Sequence, residues 1–171
     1  SLLFQPKIDF SKPDEVLVEV LPRWEHPVYG DVDPHEFIPL AENSGLMSEV
    51  NSWLLEASCS VHGEWFSKRA VVPMSMNISA QDLNDPSFFT RLIDTCRLHG
   101  LHKSLLCLQI TESLASDSLV AAKEVIGRLR SQQVKVSISQ FGAGKSSLAR
   151  LRELEVEESS IVKSFVEALL V

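Results

Sequence analysis

Three residues of this chain have the chemistry to hold a divalent metal from separate strands: Glu19 in Glu19-Val20-Leu21, Asn77 and Glu112. Metal-dependent hydrolysis near neutral pH takes a metal-activated water and a clamp on the developing charge, usually from two ions roughly 3.5–4 Å apart. Such a pair needs further carboxylates. The next strand-ending positions, Ser139 and Gln140 ahead of Phe141-Gly142, are neutral. The frame of a metal-dependent hydrolase is therefore present without its centre. Taken alone, Glu19 and Glu112 are better read as ordinary ion-pair partners at strand ends. Gly142-Ala143-Gly144-Lys145-Ser146-Ser147 has the flavour of a phosphate loop but lacks its first-glycine spacing.

The elements that must position these residues follow from periodicity. Leu2 to Pro6 opens almost inside a strand, and Val16 to Leu21 is a second, left by a turn over Trp24-Glu25-His26-Pro27 and Gly30. A helix is expected from Pro34 to about Glu42, stopping near Gly45. A longer one carries Val50, Trp53, Leu54, Ala57, Val61 and Trp65 as a buried stripe. Val72, Met74, Met76 and Ile78 alternate with small polar residues, so Asn77 lies on the polar side of a strand. Asp85-Pro86 starts a helix that buries Phe89, Leu92, Ile93 and Cys96 and stops at Gly100. Leu106, Leu108, Ile110 and Glu112 share one strand face. A helix from about Asp117 to Arg130 leads to a strand from Val134 to Ile138. Beyond it the pattern gives a short helix at Leu148 to Leu154, a weak strand at Val156 to Val162 and a last helix over Ser164 to Leu170. Strand alternating with helix means parallel βαβ units. Polar residues gathered at strand C-terminal ends favour a (β/α) barrel over an open sheet.

The 171 residues suffice for one domain with a real core. At 44% apolar and 23% charged the composition is that of a soluble globular protein. A net charge of −7 with scattered basic residues argues against a nucleic-acid surface. Cys59, Cys96 and Cys107 lie in apolar runs without CxxC spacing and are expected to be reduced and buried, which fits a cytoplasmic location. No apolar run reaches the ~18 residues of a membrane span. The histidines His26, His35, His62, His99 and His102 lack metal spacing and are expected at the surface, and Trp24, Trp53 and Trp65 in core or rim packing.

Seven ordered blocks carry a family resemblance. They are Phe4-Gln5-Pro6, Glu19-Val20-Leu21 with Arg23-Trp24, Glu36 through Glu42, Asn77-Ile78-Ser79-Ala80, Ile110-Thr111-Glu112-Ser113, Phe141-Gly142 and Ser146-Ser147-Leu148. On these the whole chain resembles the EAL domain, the module that opens the cyclic dinucleotide c-di-GMP to linear pGpG. The resemblance implies a TIM-like (β/α) barrel whose active members use Mg²⁺ or Mn²⁺. An ordinary eightfold barrel runs to about 250 residues, so 1–171 is expected to be a single domain lacking its C-terminal βα units, excised from a multidomain signalling protein.

The departures set the expected activity. In active members the EAL glutamate, the asparagine and the I-T-E glutamate hold metal together with two aspartates of a D-D-F-G block, where this chain has Ser139-Gln140-Phe141-Gly142. Serine is a poor ligand for Mg²⁺ or Mn²⁺ and cannot replace a bridging carboxylate. Counting without gaps places Ser160 at the family's catalytic lysine and Val162 at the aspartate that follows it; Lys163 falls three residues on from Ser160. Losing several members of one catalytic unit costs many orders of magnitude in rate. Glu19, Asn77 and Glu112 then become relict ligands, and neither catalysis nor a resident metal is expected.

Ligand binding has separate residues. The resemblance assigns Gln5 to the dinucleotide, Glu19 to the same site, Leu21 to the sugar-phosphate, Arg23 to a phosphate and Pro39 to the base pocket wall, and all are kept. Arginine can meet phosphate without metal. Two uncompensated carboxylates facing a dianion would repel it. A c-di-GMP receptor in bacterial control of motility or biofilm and a nucleotide-free interaction scaffold both remain open, with residual phosphodiesterase activity a lesser third. The implied partners are c-di-GMP, a neighbouring GGDEF or sensor domain, a PilZ-type protein, or a second copy in a homodimer.

Overall fold

The computed structural model describes residues 1–9, 12–111, 119–141 and 158–161. Glu112, the 142–147 loop, Val162, Lys163 and the helices expected at Leu148 to Leu154 and Ser164 to Leu170 lie outside them. The chain packs as two compact units, Ser1–Leu106 and Cys107–Val171.

In the first unit β1 (Leu2–Asp9) runs antiparallel to β2 (Lys12–Pro22), with rungs from Leu2 opposite Pro22 to Ile8 opposite Val16. This departs from the all-parallel expectation. The linker between the two strands is too short for the dozen or more residues a parallel crossover requires, so the chain must reverse. On its other side β2 is parallel to β5 (Met74–Asn77), Val18 facing Met74 and Val20 facing Met76. The segment read as a turn after β2 is a small hairpin of β3 (Trp24–His26) and β4 (Gly30–Val32). Strands of three residues are too short to display a period.

Among the described residues this unit also holds four α-helices and a short 3-10 turn at Lys103–Leu105. Asp33 caps α1 (Pro34–Asn43) by accepting from the His35 amide at 2.8 Å, with proline at the first turn. The helix ends on Gly45 at φ +74°, where Leu46 N–H returns to the Ala41 carbonyl and Gly45 N–H to that of Glu42. α2 (Met47–Ser67) packs against β1, β2, α1, α3 and α4. Its buried face is Met47, Asn51, Leu54, Leu55, Ser58, Cys59 and His62. The expected stripe was therefore rotated: Leu54 is buried, but Trp53 is 46% exposed and Val50 only partly covered. The polar residues Asn51, Ser58 and His62 took positions that an apolar-period count passes over. His62, expected at the surface, is 1% exposed.

The five-residue α3 (Ala80–Asn84) escaped the periodicity reading, and α4 (Phe88–Leu98) starts two residues later than expected. Asp85 does not cap the helix directly; its carboxylate accepts from the Ser87 amide and hydroxyl, and Ser87 is the N-cap residue. Phe88, Phe89, Leu92 and Cys96 are buried, and α4 ends on Gly100 at φ +68°. The core centres on Val20, Leu54, Cys59, Met74, Met76, Leu92 and Cys96, each at most 2% exposed. All three cysteines are free and buried, as expected. A hydrogen bond with Cys96 and burial push the Cys59 thiol up, so it stays protonated.

In the second unit β6 (Leu106–Thr111), which opens at the last residue of the first unit, is parallel to β7 (Lys135–Phe141), Ile110 facing Ile138 and Thr111 facing Ser139. β7 is parallel to β8 (Glu158–Ile161). The helix α5 (Leu119–Ser131) buries Ala122, Ile126 and Leu129. Residues 106–110 are all buried, so β6 is covered on both faces, as parallel strands usually are.

Candidate functional site

Glu19 lies on β2 three residues before its last, Pro22, and Asn77 is the last residue of β5. Asn77 donates from Nδ2 to Glu19 Oε1 at 3.1 Å. Its position is fixed just downstream: Ser79 and Asp82 form a reciprocal capping box at the start of α3. Asp82 is wholly buried, and its Oδ2 also accepts from Asn51 of α2 at 2.6 Å. β5 therefore delivers Asn77 to Glu19 from a backbone pinned to the core.

The second Glu19 oxygen is also engaged. Lys7 Nζ stands 2.9 Å from Oε2, with 30% of the lysine side chain and 19% of the glutamate exposed. The antiparallel register places Gln5 directly opposite Glu19 and Lys7 two residues along the same face. A long side chain spans that diagonal. Nothing in the periodicity singled out Lys7; the signal lay in the strand pairing.

Ser139 is 8% exposed and its Oγ lies 3.5 Å from the Ile110 carbonyl, at the limit of a hydrogen bond. The β7–β8 pairing is irregular between Ile138 and Phe141, the interval that contains Ser139 and Gln140. Bulges of this kind often re-aim side chains beside active sites. Gln140 is on β7 and Ser160 on β8, but their side chains are outside the described part.

In the first unit the described donors Glu19 and Asn77 supply a single carboxylate, fewer than a pair of divalent ions takes. Glu19 is bridged by the Lys7 ammonium and the Asn77 amide N–H. Among the described residues no three His, Cys, Asp or Glu side chains come together.

Of the residues expected to meet the dinucleotide, Gln5 and Pro39 are exposed and Leu21 is partly covered opposite Leu3. Pro39 is inside α1, not on a loop. Arg23 is engaged in a way the sequence did not announce. Its Nε and Nη2 donate to the two Asp31 oxygens at 2.9 and 3.1 Å, a bidentate fork closed by the β3–β4 hairpin. Glu25 is 3.8 Å away. Hydrogen bonding to Arg23 holds the Asp31 carboxyl below its usual value, and the same contact raises Arg23. Backbone hydrogen bonds tie Arg23 to Ser1 in both directions, at 2.8 and 2.9 Å. Beside Arg23 opens a groove of about 560 Å³ walled by Trp24, Phe37 and Trp53.

No helix among the described residues is long and apolar enough to cross a membrane. Residues 1–170 match the EAL domain family. The Cyclic di-GMP phosphodiesterase PA2567 of Pseudomonas aeruginosa is 32% identical over 168 residues, 98% of this chain and 29% of that protein. Among solved structures, the MucR phosphodiesterase of Pseudomonas aeruginosa in complex with c-di-GMP superposes with a TM-score of 0.91 at 32% identity. The match covers 99% of this chain and 69% of that one. The FimX EAL domain of Pseudomonas aeruginosa bound to c-di-GMP gives 0.88 at 29% identity, covering 99% and 68%. The chain thus spans under a third of the curated relatives it matches, 27% and 29% of two of them. Its mixed α/β architecture with parallel strands agrees with the TIM-like barrel expected of it.

Proposed function

The chain belongs to the EAL domain family, and from that membership we propose that it is a catalytically inactive member that binds c-di-GMP without metal and serves as a signalling receptor. One observation carries this reading: the Lys7 ammonium sits on Glu19, a carboxylate that active relatives would present to metal. A fixed positive charge there removes much of the repulsion that a relict carboxylate exerts on a phosphodiester. At about 4 Å and an effective dielectric of 20 such repulsion costs about 4 kcal/mol. The same charge opposes recruitment of a divalent cation. Ser139, Gln140 and Ser160 at positions where active relatives carry two aspartates and a lysine point the same way.

In this reading Arg23 meets a phosphate, Gln5 and Glu19 line the ligand's path, and Pro39 borders the base. Arg23 must first exchange Asp31 for the phosphate. Both partners are acceptors for the same guanidinium fork, so the exchange trades one charge-assisted pair for another. The bound state would be read by a neighbouring GGDEF or sensor domain, a PilZ-type protein or a second copy.

A second reading, a nucleotide-free interaction scaffold, draws on the same Arg23–Asp31 fork, because an arginine already paired is a weaker phosphate ligand. Calorimetric titration of c-di-GMP in EDTA and again in Mn²⁺, followed by chromatography of the nucleotide, separates the possibilities. Micromolar binding in EDTA with intact nucleotide is the expected result. No heat in either buffer from folded protein selects the scaffold, and pGpG formed in Mn²⁺ and abolished by Glu19→Ala overturns both.

A further inference from the structure

The groove beside Arg23 runs between the end of β2, α1 and the first turns of α2. Phe37, Leu40 and Ala41 face it from α1, Leu46 from the cap of α2 and Val50 and Trp53 from α2 itself, so each wall repeats at three- and four-residue steps. Trp24 closes one end, its ring edge-on to Phe37 at 5.9 Å. Phe37 is buried beneath, whereas Trp24, Leu40, Leu46 and Trp53 are 44%, 62%, 52% and 46% exposed. This is a surface trough, not an enclosed cavity. Apolar side chains clustered in this way on a protein surface mark an interaction site.

The charge around the trough is one-sided. From Trp24 to Phe66 the sequence carries eight carboxylates and no lysine or arginine. Glu49 lines the trough itself, and Glu36 and Glu42 are exposed on α1. Among the described residues the cation at its edge is Arg23, neutralised by Asp31. A second copy would bring the same acidic face against itself, and an anionic lipid surface would be repelled. Two helical walls with apolar residues at three- and four-residue spacing match an amphipathic helix laid between them, and the acidic rim matches lysine or arginine flanking its apolar stripe.

We propose that this trough is a docking site for a basic amphipathic helix. It does not include Glu19 or Asn77, and of the proposed dinucleotide contacts it shares only Arg23, at its edge.

Three synthetic peptides test this by fluorescence anisotropy on the full chain: a leucine/lysine amphipathic helix, a scrambled peptide of identical composition, and a leucine/glutamate helix with the same apolar pattern. The expected result is saturable binding of the first at least tenfold tighter than of the other two. Leu40→Lys and Leu46→Lys replace exposed side chains and should each weaken it about tenfold or more, with circular dichroism and melting temperature retained. Glu49→Lys should shift preference toward the leucine/glutamate helix, a gain that unfolding cannot imitate. Equal binding of the scrambled peptide, indifference to all three substitutions, or no saturable binding overturns the proposal. So does a wild-type dimer lost in Leu46→Lys, which assigns the trough to a second copy, or adsorption to phosphatidylcholine vesicles in place of peptide binding.

Discussion

Lys7 and Glu19 face each other across the β1–β2 pair at 2.9 Å, although the directly opposed residue is Gln5. The pair is partly exposed, so its contribution to folding is modest, about 1 kcal/mol or less. Its effect on a bound phosphate is larger. Lys7→Met should leave the melting temperature nearly unchanged while weakening c-di-GMP binding in EDTA by about tenfold, or about 1.4 kcal/mol. Calorimetry at two salt concentrations checks this, and unchanged affinity would remove Lys7 from the ligand's surroundings.

Asp31 competes with phosphate for Arg23. Asp31→Asn keeps the hairpin side chain's shape while removing its charge, and should raise c-di-GMP affinity by about threefold to tenfold. Arg23→Ala should lower it by tenfold or more. If the asparagine variant binds no better and the alanine variant no worse, Arg23 is a structural residue and the phosphate is held elsewhere.

His62 gives the fold a pH dependence of definite sign. It is buried on α2 with no hydrogen-bond partner at either ring nitrogen, and burial pushes it below the ordinary value of 6.5. In the window from 6.5 down to that lowered value, the unfolded chain takes up a proton that the folded chain refuses. Stability therefore falls as pH drops through this window. His62→Leu should flatten that part of the profile and stabilise the protein by about 1 kcal/mol at neutral pH, since two unpaired buried nitrogens are removed. Melting curves at pH 7.5 and 5.5 for both proteins decide it; parallel profiles would place the slope in another group.

Helices α1 and α4 end on glycine, but α2 and α5 end with Arg69 and Gln133 at φ +64° in the same returning hydrogen-bond pattern. A side chain in the left-handed region costs about 1–2 kcal/mol, which glycine largely avoids. Arg69→Gly and Gln133→Gly should each stabilise the protein by about 0.5–1 kcal/mol, after the extra freedom gained by the unfolded chain. Denaturant titration reads this out as a higher midpoint at constant slope.

Local signals in the sequence were strong where they were short-range. Asp33-Pro34 and Gly45 bracket α1, Gly100 ends α4, and the alternation around Met74 and Met76 places Asn77 at a strand end. What remained hidden depended on partners distant along the chain. Arg23 and Asp31 meet only because a hairpin of two short strands folds between them. Lys7 reaches Glu19 only in an antiparallel register that strand–helix alternation did not suggest. His62 was misplaced because a buried histidine on a long amphipathic helix resembles one on its solvent side until neighbouring elements pack on it. Glu112, the remaining expected relict ligand, lies outside the described residues.

Reversing β1 has a mechanical consequence. Residue 1 emerges at the same end of the sheet as Asn77 and Arg23, and its backbone is doubly bonded to that of Arg23. A pull on Ser1 along the strand direction loads the rungs from Leu2–Pro22 to Ile8–Val16 together, in shear, so that no single rung has to peel first. Tension at this end of the chain is transmitted to the Arg23 backbone before it reaches any other residue of the site.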